Sequence, residues 1–264
     1  MKVVSSYSIK GGVGKTALSV NLAYALQQAG RRTLLVDLDP QGAAAFFFRV
    51  SPAEKFKMKL DDLTDAGLRQ NIRESDYPGL DILPSNLAYR NLDLVLDRMR
   101  KSRKQLRWLL DELGTDYDFI ILDCPPNITL LSENVFRASN LILVPVIPTT
   151  LSERTLEQLF GFFVESDLPS DILAPFFSMA QTINRIHQET IAHLPEKYPM
   201  FLKTVIPFTV EIEKMGLHRM PVLAYAASLP VAQAYRSLCE EIQERLSTKG
   251  YRILEEPPPV EKHE

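Results

Sequence analysis

Seven residues near the start of the chain, Lys10-Gly11-Gly12-Val13-Gly14-Lys15-Thr16, combine the types that hold a polyphosphate. Glycines let the backbone come close to an anion, and their N–H groups turn inward at the N-terminus of the helix that follows. Lys15 is then placed to reach β- and γ-phosphates, and the Thr16 hydroxyl to ligate Mg²⁺. Val13 and Ala17 complete the stretch whose backbone lines such a ligand. The usual phosphate-loop pattern has Gly five positions before Gly14; here that position is Ile9, and Lys10 adds a second cation at the mouth of the loop. A cation there would neutralise charge on a transferring γ-phosphoryl group. The bland readings are a glycine-rich turn of some α/β protein and, for Lys10, a solvated surface lysine.

Three carboxylates stand where such a site needs them. Asp123 ends the apolar run Phe119–Leu122, the arrangement in which a hydrophobic strand presents one carboxylate, through water, to Mg²⁺. Pro125 and Pro126 stiffen the exit and mark a second switch segment. Asp37 and Asp39 follow the buried run Leu34–Val36 and alternate in direction, so they need not share a role. Their bland reading is that they cap a loop. Cys124 has no base beside it in sequence and reads as a small buried residue rather than a nucleophile.

The elements that must position these groups are legible as alternating patterns. Val3–Ile9, Thr33–Val36, Leu80–Leu83, Phe119–Leu122, Leu141–Val144, Leu173–Phe177 and Thr204–Ile206 predict strands. Ala17–Gln28, Tyr89–Leu113, Leu131–Ala138, Ser152–Val164, Ile186–Leu194 and Val231–Ser247 predict helices. The alternation implies an α/β fold: a single-domain P-loop NTPase with a mostly parallel twisted sheet flanked by helices. Ligands then bind beyond the carboxyl ends of the strands, where the Lys10 loop, Asp37–Asp39 and Asp123 converge. Pro52–Asp76 is charged and weakly patterned and reads as surface helices and loops near the crevice; the aromatic triplet Phe46–Phe48 reads as a core or interface anchor.

Composition bounds the rest. The chain has 264 residues, 45% of them hydrophobic and 24% charged, which suits one globular domain over residues 1–250, followed by a proline-rich, disordered tail over 251–264. No signal peptide and no long apolar run is present, and the only cysteines, Cys124 and Cys239, lack metal-ligand spacing, so a cytoplasmic protein without a membrane partner is expected. A net charge of −3 argues against a globally basic nucleic-acid binder and leaves room for a local basic patch.

Taken in order, these segments resemble the ParA/MinD family of partition ATPases. Lys10–Thr16 looks like the deviant Walker A motif of that family, and Leu34–Gly42, Asp81–Asn86, Tyr117–Pro126, Val144–Ser152, Pro221–Tyr225 and Ala234–Leu238 agree in turn. The resemblance runs from residue 2 to about residue 246 and is nearer the ParA branch than MinD. It implies ATP and Mg²⁺ as cofactors and a slow, partner-stimulated hydrolysis of ATP to ADP and phosphate. It places Lys10, Lys15 and Asp39 in catalysis: Lys10 reaches across a dimer interface to the partner's nucleotide, and Asp39 positions the attacking water. The implied metal set is Thr16, Asp37, Asp39 and Asp123. Pro207 and Phe208 would lie against the adenine where many relatives have Pro-Arg, with Gln181 and Asn184 as further polar candidates; ATP rather than GTP rests on the resemblance alone.

The implied function is a switch whose ATP-bound sandwich homodimer binds duplex DNA without sequence preference, associates with the nucleoid, and segregates or positions plasmid, chromosome or other cargo. A ParB-like or cargo-adaptor partner would stimulate hydrolysis. Candidate DNA contacts are Lys197, Lys203, Arg219 and Arg236, although Ala226–Leu229 stands where many relatives carry two arginines. The first strand begins at Val3, so the N-terminal DNA-binding domain of longer plasmid relatives is not expected. Alternatives are the same switch acting on a protein scaffold without DNA, or a P-loop kinase or synthetase for a small molecule. A MinD-like membrane switch needs an amphipathic basic helix that Glu255–Glu264 does not provide, and a nitrogenase-reductase-like carrier needs cluster cysteines.

Overall fold

The computed structural model describes residues 1–51, 65–85, 92–97 and 102–248. Strands β1 (Lys2–Ser6), β2 (Thr33–Asp37), β3 (Arg73–Glu74), β4 (Leu80–Leu83), β5 (Phe119–Asp123), β6 (Leu141–Val146), β7 (Leu173–Ala180) and β8 (Val205–Pro207) form one sheet in the order β3-β4-β2-β5-β1-β6-β7-β8. Every pairing is parallel except that of the two-residue edge strand β3 with β4. All seven expected strands are present, and the carboxyl ends of the parallel ones share one edge.

The strands read as continuous apolar runs because both faces are covered. Successive residues serve opposite cores: Leu34, Val36, Ile120 and Leu122 pack on one side, Leu35, Phe119 and Ile121 on the other. The first core is closed by α4 (Leu92–Asp97), α5 (Gln105–Glu112), α6 (Leu130–Ala138) and α7 (Thr150–Glu165). The second is closed by α1 (Lys15–Gln28), α2 (Ala43–Phe47), α9 (Val210–His218), α10 (Val222–Tyr225) and α11 (Pro230–Thr248). Helices α3 (Asp65–Asn71) and α8 (Arg185–Lys197) complete the set.

Differences from the sequence reading have local causes. The single helix expected over Tyr89–Leu113 is described as α4 and α5, the second starting after a turn at Ser102–Lys104 in a heavily charged stretch. Helix α2 is too short to show a period. In α9 only Met215 is buried, while Val210 and Leu217 stay exposed, so no apolar stripe announces it. Much of the Pro52–Asp76 stretch and the tail lie outside the described residues. Among the described residues, no helix is long and apolar enough to cross a membrane.

Candidate functional site

The phosphate loop is suspended from two strands and its own helix. Gly12 and Gly14 have φ of 72° and 96°, the left-handed geometry that glycine tolerates. A Cβ at Gly14 would meet Ser178 Oγ at 3.1 Å. Ser178, at the end of β7, donates to the Val13 carbonyl at 3.0 Å, and Ser6, ending β1, donates to the Lys15 carbonyl at 3.1 Å. Lys15 is 8% exposed, and its Nζ donates to the Lys10 carbonyl at 3.3 Å. Burial lowers its pKa, opposed by the charge of Asp123. An anion entering the loop would take over this ammonium and relieve its desolvation. Lys10 is exposed and makes no ion pair among the described residues.

Asp123 ends β5 beside the loop and is 1% exposed. Its Oδ1 lies 2.9 Å from Ser19 Oγ, and its buried Oδ2 has no hydrogen-bond partner among the described residues. Burial pushes its pKa up to about 6, against the pull of the neighbouring Thr16 and Ser19 hydroxyls. An orphaned carboxylate oxygen beside a threonine hydroxyl fits a hard divalent cation. Among the described residues no cluster of three His, Cys, Asp or Glu side chains could hold a metal. Mg²⁺ would therefore take Thr16, Asp123 through water, and phosphate oxygens, as that ion prefers.

Asp37 pairs in register with Asp123 across β2 and β5 and is fully buried. Its Oδ2 accepts from Ala44 N at 3.0 Å and Ala45 N at 3.2 Å, and its Oδ1 accepts from Asp39 N at 3.2 Å. Burial, then the charge of Asp123, pushes its pKa up to about 8. In this arrangement the Asp37 carboxylate holds the N-terminus of α2 through backbone N–H groups on both of its oxygens. Asp39 is half-buried; its Oδ1 accepts from Gln41 N at 3.0 Å, and the loop around it begins the segment leading to α2. Cys124 is buried and its thiol pKa is pushed up by desolvation, which suits the packing role.

The loops after β7 and β8 meet at the same edge, where Phe208 N donates to the Ala180 carbonyl at 2.9 Å. Pro207 pairs with Ala180, and Phe208 is half-exposed there. Asn184 Oδ1 accepts from Ile186 N at 3.0 Å and so caps α8, while the Gln181 backbone N–H donates to His187 Nδ1 at 3.1 Å. Sequence reasoning missed Ser6, Ser19 and Ser178, which anchor the loop, because lone serines carry no period. It also missed Asn21, fully buried in α1, whose Oδ1 accepts from Val222 N at 2.9 Å. That bond fastens the Pro221–Tyr225 motif behind the loop.

The four nominated DNA contacts are engaged differently. Lys197 Nζ lies 2.7 Å from both Glu153 Oε1 and Glu157 Oε1. Arg236 donates to the Ala227 carbonyl at 2.8 Å. Arg219 lies with its guanidinium 4.6 Å from the centroid of the Phe46 ring. Lys203 uses its backbone N–H on Glu241 at 2.6 Å. They sit on α8, on α11, at the end of α9 and just before β8, so they do not form one element's basic face.

A family model described as an AAA domain matches residues 1–167. The chain is 29% identical over 247 residues to the sporulation initiation inhibitor protein Soj of Bacillus subtilis, covering 91% of this chain and 98% of Soj. It is 32% identical over 246 residues to the cell division protein PomZ of Myxococcus xanthus, covering 90% of this chain and 77% of PomZ. Its fold is similar to cobyrinic acid a,c-diamide synthase from Mycobacterium smegmatis, solved with a bound ATP analog and magnesium. There the TM-score is 0.74 at 24% identity, over 94% of this chain and 96% of that one.

Proposed function

The chain belongs to the ParA family of partition ATPases, and we propose that it is an ATP-dependent switch within it. In this reading it binds Mg²⁺–ATP through Gly11–Thr16, with Asp123 and Thr16 serving the metal. It closes into a sandwich homodimer in which Lys10 reaches the partner's nucleotide, and hydrolyses ATP slowly with Asp39 holding the water. The γ-phosphate and Mg²⁺ would order the loops that form the interface, so hydrolysis would release the dimer. Its setting is the cytoplasm, and its job is to position a plasmid, chromosome or other cargo, stimulated by a ParB-like or cargo-adaptor protein.

One observation carries this reading: Lys10 stands exposed, with no ion pair among the described residues, at the mouth of a loop whose other lysine is buried inside it. A buried lysine serves its own phosphates, whereas an exposed one is free to serve another subunit's. Light scattering with a non-hydrolysable ATP analogue tests it. The wild type should double in mass, and Lys10→Ala should stay monomeric while still binding the analogue. A monomeric wild type at saturation, or an unaffected variant, rejects the sandwich.

The first reading of the docking surface is nonspecific duplex DNA, giving nucleoid association in the ATP state. A second reading, a protein scaffold, is favoured by the engagement of Lys197 with two glutamates and by the net charge of −3. Gel shift with the ATP analogue at low salt separates the two. Salt-sensitive binding of unrelated duplexes supports DNA, and no binding leaves the scaffold.

A further inference from the structure

Helices α2 and α9 end side by side, and each is closed by an arginine from the other. Arg49 Nη2 donates to the carbonyl of His218, the last residue of α9, at 3.2 Å. Arg219 Nε donates to the carbonyl of Phe46, in the last turn of α2, at 3.3 Å. The same guanidinium lies over the Phe46 ring, which is otherwise half-exposed. Cations complement the carbonyl end of a helix, and here the favourable charge is exchanged between two helices.

Both arginines have positive φ, 58° at Arg49 and 50° at Arg219. Glycine would end either helix with less conformational strain, so the side chains, not the turns, account for arginine at these positions. Helix α9 is also braced from behind. The Tyr225 hydroxyl donates to the Glu211 carbonyl, and the His218 and Tyr225 rings lie 4.2 Å apart. Helix α2 has a different anchor at its other end, the Asp37 carboxylate, which also holds the Asp39 amide. A line of contacts therefore runs from Arg219 through α2 to the backbone of Asp39.

We infer that Arg219, with Arg49, is a positioning residue for hydrolysis: it pins the end of α2 against α9 and so sets the Asp37–Asp39 turn from which the water-holding carboxylate projects. This rests on the ATPase reading above and takes Arg219 away from DNA contact. It also gives the exposed member of the Phe46–Phe48 triplet a role, as the post on which the guanidinium lies.

The experiment compares Arg219→Gly and Arg219→Lys with the wild type, without DNA, by steady-state turnover, thermal midpoint, and amide exchange at Ala44 and Ala45. Glycine relieves the positive φ while losing the ring contact, effects of similar size and opposite sign, so the midpoint should stay near that of the wild type. Turnover should fall about tenfold with KM within about threefold, as misplacement of a positioning group predicts. Exchange at Ala44 and Ala45 should quicken several-fold. Lysine keeps a cationic donor in reach of the Phe46 carbonyl and should restore most of the rate. Arg49→Gly, should Arg219→Gly not fold, is expected to act in the same direction. Unchanged exchange, unchanged turnover, or a defect seen only as lost DNA affinity overturns the inference. A wild type without ATPase activity would instead reject the ATPase reading, and exchange at Ala44 and Ala45 would still decide whether the arginines hold α2.

Discussion

The phosphate loop and the segment from Asp37 to Arg49 leave the same edge of the same sheet, yet they are held in opposite ways. The loop is fastened at two of its carbonyls, Val13 by Ser178 on β7 and Lys15 by Ser6 on β1 and Ser19 on α1. The second segment is fastened by the Asp37 carboxylate, which draws in the start of α2, and by the exchanged arginines at the far end of that helix. A loop whose carbonyls are tied back to strands and helix keeps its shape when an anion arrives, so binding costs little reorganisation. A segment held by single side chains that reach across it can hold two arrangements, which is what a nucleotide-dependent switch requires. Binding and turnover should therefore be separable by mutation.

The largest effect expected is at Lys15. Removing its ammonium in Lys15→Ala should weaken ATP binding by ~10²-fold or more, as loss of charge-assisted contacts to phosphate predicts. Calorimetry or a fluorescent analogue measures this, and affinity kept within about threefold would undo the assignment of the loop. Asp39→Ala is the counterpart. Turnover should drop ~10²-fold while nucleotide affinity stays within about threefold, because a positioning group for water acts on the transition state. Equal loss of binding in both variants would break the comparison between the two regions.

Gly14→Ala sharpens the same contrast on the loop side. A methyl group at φ 96°, 3.1 Å from Ser178 Oγ, presses on the hydroxyl that ties the Val13 carbonyl to β7. Nucleotide affinity should fall about tenfold, with the substitution strained whatever space is made.

A smaller effect is expected in the pH dependence of the nucleotide-free protein. Asp123 and Asp37 titrate at about 6 and about 8, raised from 3.8, so between these values the folded chain binds protons that the unfolded chain has released. Stability from this source is complete below the unfolded value and is lost as pH rises through about 6 and then about 8. The thermal midpoint should therefore decline from pH 5 to pH 9, and Asp123→Asn should flatten the lower part of the decline. A midpoint that rises over this range would contradict the raised values. Smallest of all should be Lys197→Ala: with its ammonium on Glu153 and Glu157, any DNA affinity should change less than about twofold in a binding titration at low salt.

Much of this molecule is legible in its sequence because the signals are local. Apolar runs buried on both faces mark the strands, a glycine cluster before a helix marks the anion site, and carboxylates directly after apolar runs fall at the strand ends where ligands gather. Each depends on neighbours within a few residues, so the order of residues alone determined the sheet, the edge where the strand ends gather, and the nomination of Lys15, Thr16 and Asp123 for that edge. Tertiary structure decided what those groups do for one another. Nothing near Asp37 in the sequence says that α2 folds back to lay the N–H groups of Ala44 and Ala45 on its carboxylate. Arg219 and Lys197 looked like free surface charge until Phe46, 173 residues away, and Glu153, 44 residues away, came to meet them. A charge announces its presence in a sequence but not its partner: contacts between side chains distant along the chain follow no period, and only the packing of helices on the sheet brings them together.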